Sequence, residues 1–278
     1  MKSRLRTLRP LFMVAALIAA LIAPASAAAG SVKQVALTFD DGDSELHIRQ
    51  AVAVAVATQT PITFFPTGKS LRRFPNLWKA IGDAGIPIAN HTVNHPSLTA
   101  RYAVKGAAGV RSELQGFINL ARSLNIPVVP YWRPPGGAWN ANVLRVAKSL
   151  GLTLSMWTTT FADTAPMCKN RTIVSYNKAS SGTGTKVVVL GHVYPYTAQT
   201  VKLLAAVIAN YDARGYEFVT ISTMVKGTAS NINWAKAALA VSAHATDPKK
   251  RVPTNPPVPI DHTDTKYTFA QANGITCR

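Results

Sequence analysis

Short apolar runs alternate along the chain with longer amphipathic stretches. The runs Gln34–Phe39, Ile62–Phe65, Ile86–Ala89, Val128–Trp132, Leu152–Met156, Val187–Leu190 and Glu217–Thr220 predict strands, because they are short and rich in β-branched and aromatic residues. Between them the apolar spacing predicts helices over residues 44–58, 70–84, 102–124, 140–150 and 197–214. Gly85, Gly151 and Gly215 fall just past three of these, where a left-handed residue ends a helix. This alternation predicts an α/β fold, with a parallel sheet or barrel covered by helices. No internal repeat is visible. Residues 180–185 (SSGTGT) predict a flexible loop. Residues 246–260, with five prolines and the run Lys249-Lys250-Arg251, predict an extended tail lying on the surface.

The N-terminus reads differently. Lys2, Arg4, Arg6 and Arg9 precede 13 apolar residues (11–23), and Pro24 and Ala25-Ser26-Ala27 follow. A bilayer span takes about 20 apolar residues, so no membrane span is expected. The basic start, short apolar centre and A-x-A pattern predict a signal peptide over 1–27 and a secreted protein, extracellular or in the cell wall. Export would place Cys168 and Cys277 in oxidising surroundings, where an intrachain Cys168–Cys277 disulfide is expected. In the chain-entropy model it would stabilise by about 4–5 kcal/mol.

Composition narrows the class. A chain of 278 residues, 47% hydrophobic and 15% charged, can bury a sizeable core and is not disordered. Its net charge is +18, and loss of the first 27 residues would leave +14, since four basic residues and no acid go with them. Such a surface favours anionic partners, here an anionic cell-wall polymer, although it also serves plain solubility. No recognition motif accompanies the charge, so nucleic acid is not an expected partner.

In parallel α/β folds, ligands bind beyond the carboxyl ends of the strands. The first predicted strand runs into Asp40-Asp41-Gly42, which alone could be an ordinary turn. The third leads to His91-Thr92-Val93-Asn94-His95. Two histidines four apart can face one way, and with a carboxylate they form a ligand set for Zn²⁺ or Fe²⁺. Alone, such a pair is more often structural. The fourth ends in Arg133-Pro134-Pro135-Gly136-Gly137, where Arg133 offers a rigid fork to a carboxylate. The sixth ends in Gly191-His192. Four strand ends thus bring Asp, His, Arg and His to one face.

With TFDDG at 38–42, HTVNH at 91–95, RPPGG at 133–137 and LGH at 190–192, the sequence resembles the polysaccharide deacetylases over residues 33–225. These are the NodB-homology family of metal-dependent carbohydrate esterases, carbohydrate esterase family 4. The resemblance implies a distorted (β/α) barrel with fewer than eight strands, in keeping with about seven predicted strands. It divides the chain into a signal peptide (1–27), a deacetylase domain (28–225) and a C-terminal extension packing on it (226–278). It implies that Asp41, His91 and His95 hold a divalent metal, Zn²⁺ first, with Co²⁺ or another divalent ion compatible. Asp40 would be the general base, oriented by Arg133. Gly136 would offer its N–H to the oxyanion, and His192, held by Asp163, would be the general acid. Trp139 is a candidate for stacking on a sugar ring.

The implied activity is removal of N-acetyl groups from GlcNAc-containing glycans (peptidoglycan, chitin or chito-oligosaccharide). An O-acetyl xylan esterase with the same site and a non-catalytic glycan-binding homologue are the alternatives. The chain departs from the family pattern at Thr160 and Thr164 in the acidic segment, at Asp43, where Pro is usual, and at Gly136, where an aromatic is common. His47, His244 and His262 match no motif and are expected at the surface.

Overall fold

The computed structural model describes residues 32–164, 171–195 and 197–242. The predicted signal peptide, both cysteines of the expected disulfide and the proline-rich tail lie outside the described residues.

Strand β1 (Gln34–Asp41) is buried along its whole interior length, as a parallel strand covered on both faces must be. On one side it pairs in parallel with β6 (Lys186–His192), from Gln34 opposite Lys186 to Asp40 opposite His192. On the other it pairs with β2 (Ile62–Pro66) over Leu37–Asp41 and with β7 (Glu217–Phe218) over Gln34–Val35. β5 (Thr159–Thr160) continues the sheet beyond β6. β3 (Tyr131–Trp132) and β4 (Thr153–Leu154) form a second parallel pair.

Residues 87–90 stitch β2 to β3. The Ala89 N–H donates to the Phe64 carbonyl, and the Asn90 N–H to the Tyr131 carbonyl. The strand path therefore curls from β4 through β3, residues 87–90, β2, β1 and β6 to β5. Among the described residues no strand pairing joins β4 to β5. Residues 155–158 cross that gap, with the Ser155 N–H on the Trp132 carbonyl and the Thr158 N–H on the Val188 carbonyl. The fold is α/β with a parallel sheet and covering helices, a barrel left unclosed by strand hydrogen bonds.

The helices are α1 (Glu45–Thr58), α2 (Gly68–Arg73), α3 (Pro75–Asp83), α4 (Leu98–Ser123), α5 (Ala141–Ser149), α6 (Arg171–Ser180), α7 (Ala198–Ala213), α8 (Ile221–Lys226) and α9 (Trp234–Ser242). The single helix predicted over 70–84 is two. Phe74 between them has φ −132, because Pro75 disfavours helical geometry in the residue before it. α4 starts earlier than predicted, since the Ser97 side chain caps the Ala100 N–H. Gly106 (φ 57) then breaks α4 internally. Gly85, Gly151 and Gly215 take φ of 87, 71 and 70 after their helices, as the pattern predicted. α9, which the pattern did not predict, packs on α1 and α3: Arg49 Nη1 donates to the Ala240 carbonyl and the Asn233 N–H to the Ala84 carbonyl. No helix among the described residues is long and apolar enough to cross a membrane.

One expectation is corrected here. The 180–185 loop is anchored rather than loose. Arg214 donates to the Ser180 and Gly182 carbonyls, and the Tyr216 hydroxyl donates to the Gly184 carbonyl.

Candidate active site

Adjacent residues on a regular strand point to opposite faces, so Asp40 and Asp41 can share a pocket only if the backbone turns there. It does. Asp40 is in register with His192, while Asp41, the last residue of β1, and Gly42 turn left-handed, at φ 71 and 80. Gly42 has no room for a side chain, because a Cβ there would lie 2.6 Å from both Ser70 Oγ and the Trp78 ring. Trp78 Nε1 donates to Ser70 Oγ at 2.8 Å, and that hydroxyl donates to the Gly42 carbonyl. The turn is thus braced from below, and both carboxylates face His91, at 3.7 Å from Asp40 Oδ2 and 3.5 Å from Asp41 Oδ1.

Asp41, His91 and His95 each offer one ligand atom, all within 4.8 Å of one another. His91 Nδ1 lies 2.8 Å from the Arg133 carbonyl. A carbonyl only accepts, so the hydrogen-bond network assigns the proton to Nδ1 and leaves the Nε2 lone pair facing the carboxylates. His95 Nε2 is 3.2 Å from Asp41 Oδ1, yet that buried oxygen has no well-aligned hydrogen-bond donor. Two imidazoles and an orphaned carboxylate oxygen converging on one point are the donor set of a divalent cation such as Zn²⁺, so these residues fit the expected metal. Burial pushes His91 down towards the neutral ligand form. Burial opposes ionisation of Asp41, but the contact with His95 and the charges of His91, His192 and His95 outweigh it and hold the carboxyl below its usual range.

Arg133 is fully buried. Its Nη1 donates to Asp40 Oδ1 at 2.7 Å and to Thr38 Oγ1 at 2.9 Å, and its Nε to the Ser155 carbonyl at 3.0 Å. The guanidinium lies 4.1 Å over the Phe65 ring, which fixes its plane. One oxygen of Asp40 is thereby occupied and the other faces His91.

On the far side, His192 Nδ1 lies 2.8 Å from Asp163 Oδ1. Asp163 is fully buried, and its second oxygen accepts from the His192 backbone N–H and the Thr200 hydroxyl. Burial disfavours the His192 cation, but the hydrogen bond and charge of Asp163, with Asp40 and Asp41 behind it, raise its pKa to about 9. Thr160, the departure in the acidic segment, supports this arrangement. Its hydroxyl accepts from the Ala162 N–H at 3.0 Å, stabilising the left-handed Ala162 (φ 49) that turns the chain into Asp163.

Gly136 and Trp139 lie in the loop after Arg133. Gly136 sits in a 3₁₀ turn at φ 61 with open space where a Cβ would be. Trp139 is 42% exposed. Among the described residues neither hydrogen-bonds to the Asp–His–His cluster.

Several supporting residues went unread in the sequence. Thr38 sits inside a motif whose conspicuous residues are its two acids. Ser155 contributes only a carbonyl. Thr200 and Glu113 belong to no recognised pattern, and Asn90 adjoins the histidine motif without a role read for it. His47 is corrected: it is buried, with Nδ1 2.8 Å from the Tyr194 carbonyl, because it lies in the first turn of α1 under the β6–α7 connection. His244 and His262 lie outside the described residues.

Residues 27–155 match the family described as polysaccharide deacetylase. The peptidoglycan-N-acetylglucosamine deacetylase of Bacillus cereus is 28% identical over 196 residues, 70% of this chain and 89% of that protein. The chitooligosaccharide deacetylase of Rhizobium leguminosarum bv. trifolii is 28% identical over 48% of this chain and 60% of its own length, so the chain spans less than two thirds of that relative. Among solved structures, a family 4 carbohydrate esterase from Streptomyces lividans in complex with acetate superposes with a TM-score of 0.60 at 26% identity, covering 72% of this chain and 98% of that one. Sequence match, fold likeness and the ordered motifs at the strand ends agree in their likeness to the polysaccharide deacetylases.

Proposed function

We propose that the protein is a secreted, metal-dependent deacetylase that hydrolyses N-acetyl groups of GlcNAc-containing glycans and releases acetate. The observation that carries this reading is the convergence of Asp41, His91 and His95 within 4.8 Å, flanked by Asp40 on Arg133 and by His192 on Asp163. The peptidoglycan and chitooligosaccharide deacetylases among its relatives supply the substrate class. Secretion rests on the basic, apolar and A-x-A pattern of residues 1–27.

Asp41, His91 and His95 would hold the cation, Zn²⁺ by their N and O donors, with Co²⁺ compatible. When bound, it supplies a Lewis acid for the acetyl carbonyl and acidifies water. Asp40 takes the proton of the attacking water through Oδ2, because Arg133 occupies Oδ1. The Gly136 N–H would be the donor to the developing oxyanion. His192, with Nδ1 on Asp163, gives the proton on Nε2 to the leaving nitrogen. The C–N bond breaks as oxygen from water joins the acetyl carbon. The proton taken and the proton given balance to a free amine and acetic acid, which then ionises to acetate as the amine takes up the proton. Trp139 stacks on a sugar ring beside the site, and the net positive charge favours an anionic cell-wall polymer.

The test is acetate release from chitin oligomers, peptidoglycan and acetyl-xylan in parallel, with and without chelator. Chelator-sensitive release from the N-acetylated glycans is expected. Release from acetyl-xylan alone would make the protein an O-esterase, and no release from any substrate would leave a glycan-binding role.

A further inference from the structure

The loop that carries the two histidines is in an unfavourable conformation. Thr92 and His95 both have left-handed backbones, at φ 67 and 63. Neither is glycine, and for β-branched Thr92 this is a rare state. Such residues cost on the order of 1–3 kcal/mol each and persist only where the surroundings over-determine them. Part of the restraint is local. The Thr92 N–H donates to Asn90 Oδ1 at 2.9 Å, and the His95 N–H to Thr92 Oγ1 at 3.0 Å.

The start of α2 adds to it, with the Gly68 and Lys69 N–H groups donating to the Thr92 and Val93 carbonyls at 2.9 and 3.1 Å, and a further hold comes from α4, one layer away. Glu113 is 2% exposed. Its Oε2 accepts from the Val93 N–H at 3.1 Å and the Asn94 N–H at 2.9 Å, and its Oε1 accepts from Asn94 Nδ2 at 3.1 Å. Arg101 Nη2 stands 3.5 Å from Oε1. The next residue of the helix adds a second hold, since Asn90 Nδ2 donates to the Leu114 carbonyl at 2.9 Å. A buried carboxylate is costly unless fully partnered. Here the partners are the two amides lying between the histidines, which no strand or helix satisfies. An apolar residue at 113 would pack in the same interior but leave those amides unpaired.

We propose that Glu113 is a positioning residue for the metal centre: from α4 it grips Val93 and Asn94 and so holds His91 and His95 at the spacing the cation needs. This rests on the reading of Asp41, His91 and His95 as ligands. It assigns Glu113 no contact with substrate or with the reacting atoms.

The test is the Zn²⁺ affinity of the metal-free full-length protein, by competition with a chromophoric chelator, for wild type and Glu113→Gln. The melting temperature of each metal-free protein is measured alongside. The glutamine keeps the shape but loses the charge and one acceptor, so an N–H must face either the loop amides or the Asn94 side chain and Arg101. We expect metal binding to weaken about 10- to 100-fold, the usual scale for residues that orient ligands, in a protein that is still folded. If Glu113→Gln does not fold, Glu113→Asp, which keeps the charge but withdraws the carboxylate by one methylene, takes its place with the same expectation. Wild-type affinity in either folded variant, whatever its melting temperature, overturns the proposal and leaves Glu113 a purely structural residue. A wild type that binds no Zn²⁺ overturns the ligand assignment itself, and the proposal with it.

Discussion

Two arginines, at opposite ends of the barrel, show what separates the site from its scaffold. Arg214 precedes β7 at the end where strands begin, and it is half-buried. It donates to the Ser180 and Gly182 carbonyls and lies 4.9 and 5.0 Å over the Tyr211 and Tyr216 rings. Tyr211, its hydroxyl pushed up to about 12 by burial, stays a neutral donor to the Ala179 carbonyl. Every partner there is a fixed dipole or a ring, and the cluster closes a loop. Arg133, where strands end, is fully buried and spends its strongest bond on a carboxylate, Asp40, whose other oxygen is left facing His91.

Backbone strain divides the same way. Among the described residues, six non-glycine residues have positive φ. Gln59 and Asn125 follow helix ends, where such geometry is routine. Asp41, Thr92, His95 and Ala162 lie at the site. Strain held in place by surrounding hydrogen bonds marks where geometry is kept for chemistry rather than for stability.

The contrast breaks most visibly at Arg133. Arg133→Ala leaves a buried, unpartnered Asp40, and loss of one partner of a buried pair costs about 3–5 kcal/mol. Chemical denaturation should record that loss, and acetate release should vanish. Asp40→Asn is narrower. It removes the base but can still accept from Arg133, so kcat should fall by roughly 10²–10⁴, while titration shows Zn²⁺ still bound.

His192 sharpens the contrast through pH. Its folded pKa of about 9 lies above the ordinary histidine value, so the proton it donates is present below that pH and lost above it. Cationic charge in the Asp–His–His cluster pulls the value down. The alkaline limb of kcat/KM is therefore expected at or below about 9. Asp163→Asn removes the main stabiliser of the imidazolium, and the limb should move down towards about 6.5. An unmoved limb would remove Asp163 from this role. At the scaffold end, Arg214→Ala should cost only about 1–3 kcal/mol, the scale of charged hydrogen bonds. Its kcat should match wild type, with denaturation and steady-state kinetics as the two readouts.

The same division explains what the sequence disclosed. The long strands β1 and β6 read as short continuous apolar runs and helices α1 and α7 as longer apolar-rich stretches, and the site motifs sit at the ends of predicted strands. β5 spans two residues, too short to show any period, and exists because neighbours supply its hydrogen bonds, whereas β7, equally short, lies inside a run that predicted a strand. α9 is defined by its docking on α1 and α3. Asp40, Asp41, His91, His95, Arg133 and His192 were legible because reactive residues at strand ends are conspicuous. Glu113, Thr38, Thr200 and the buried His47 were not, because their roles depend on which distant backbone groups the fold brings to them. Thr160 was legible only as a departure, and its contribution to the turn before Asp163 needed the backbone geometry.

The proposed chemistry stands or falls on one cation among Asp41, His91 and His95. Anomalous diffraction at the zinc edge, from crystals grown with Zn²⁺, locates it. A single strong peak bounded by Asp41 Oδ1, His91 Nε2 and His95 Nε2 is expected, with Asp40 still on Arg133. A peak elsewhere, or none with the three side chains in place, would contradict it.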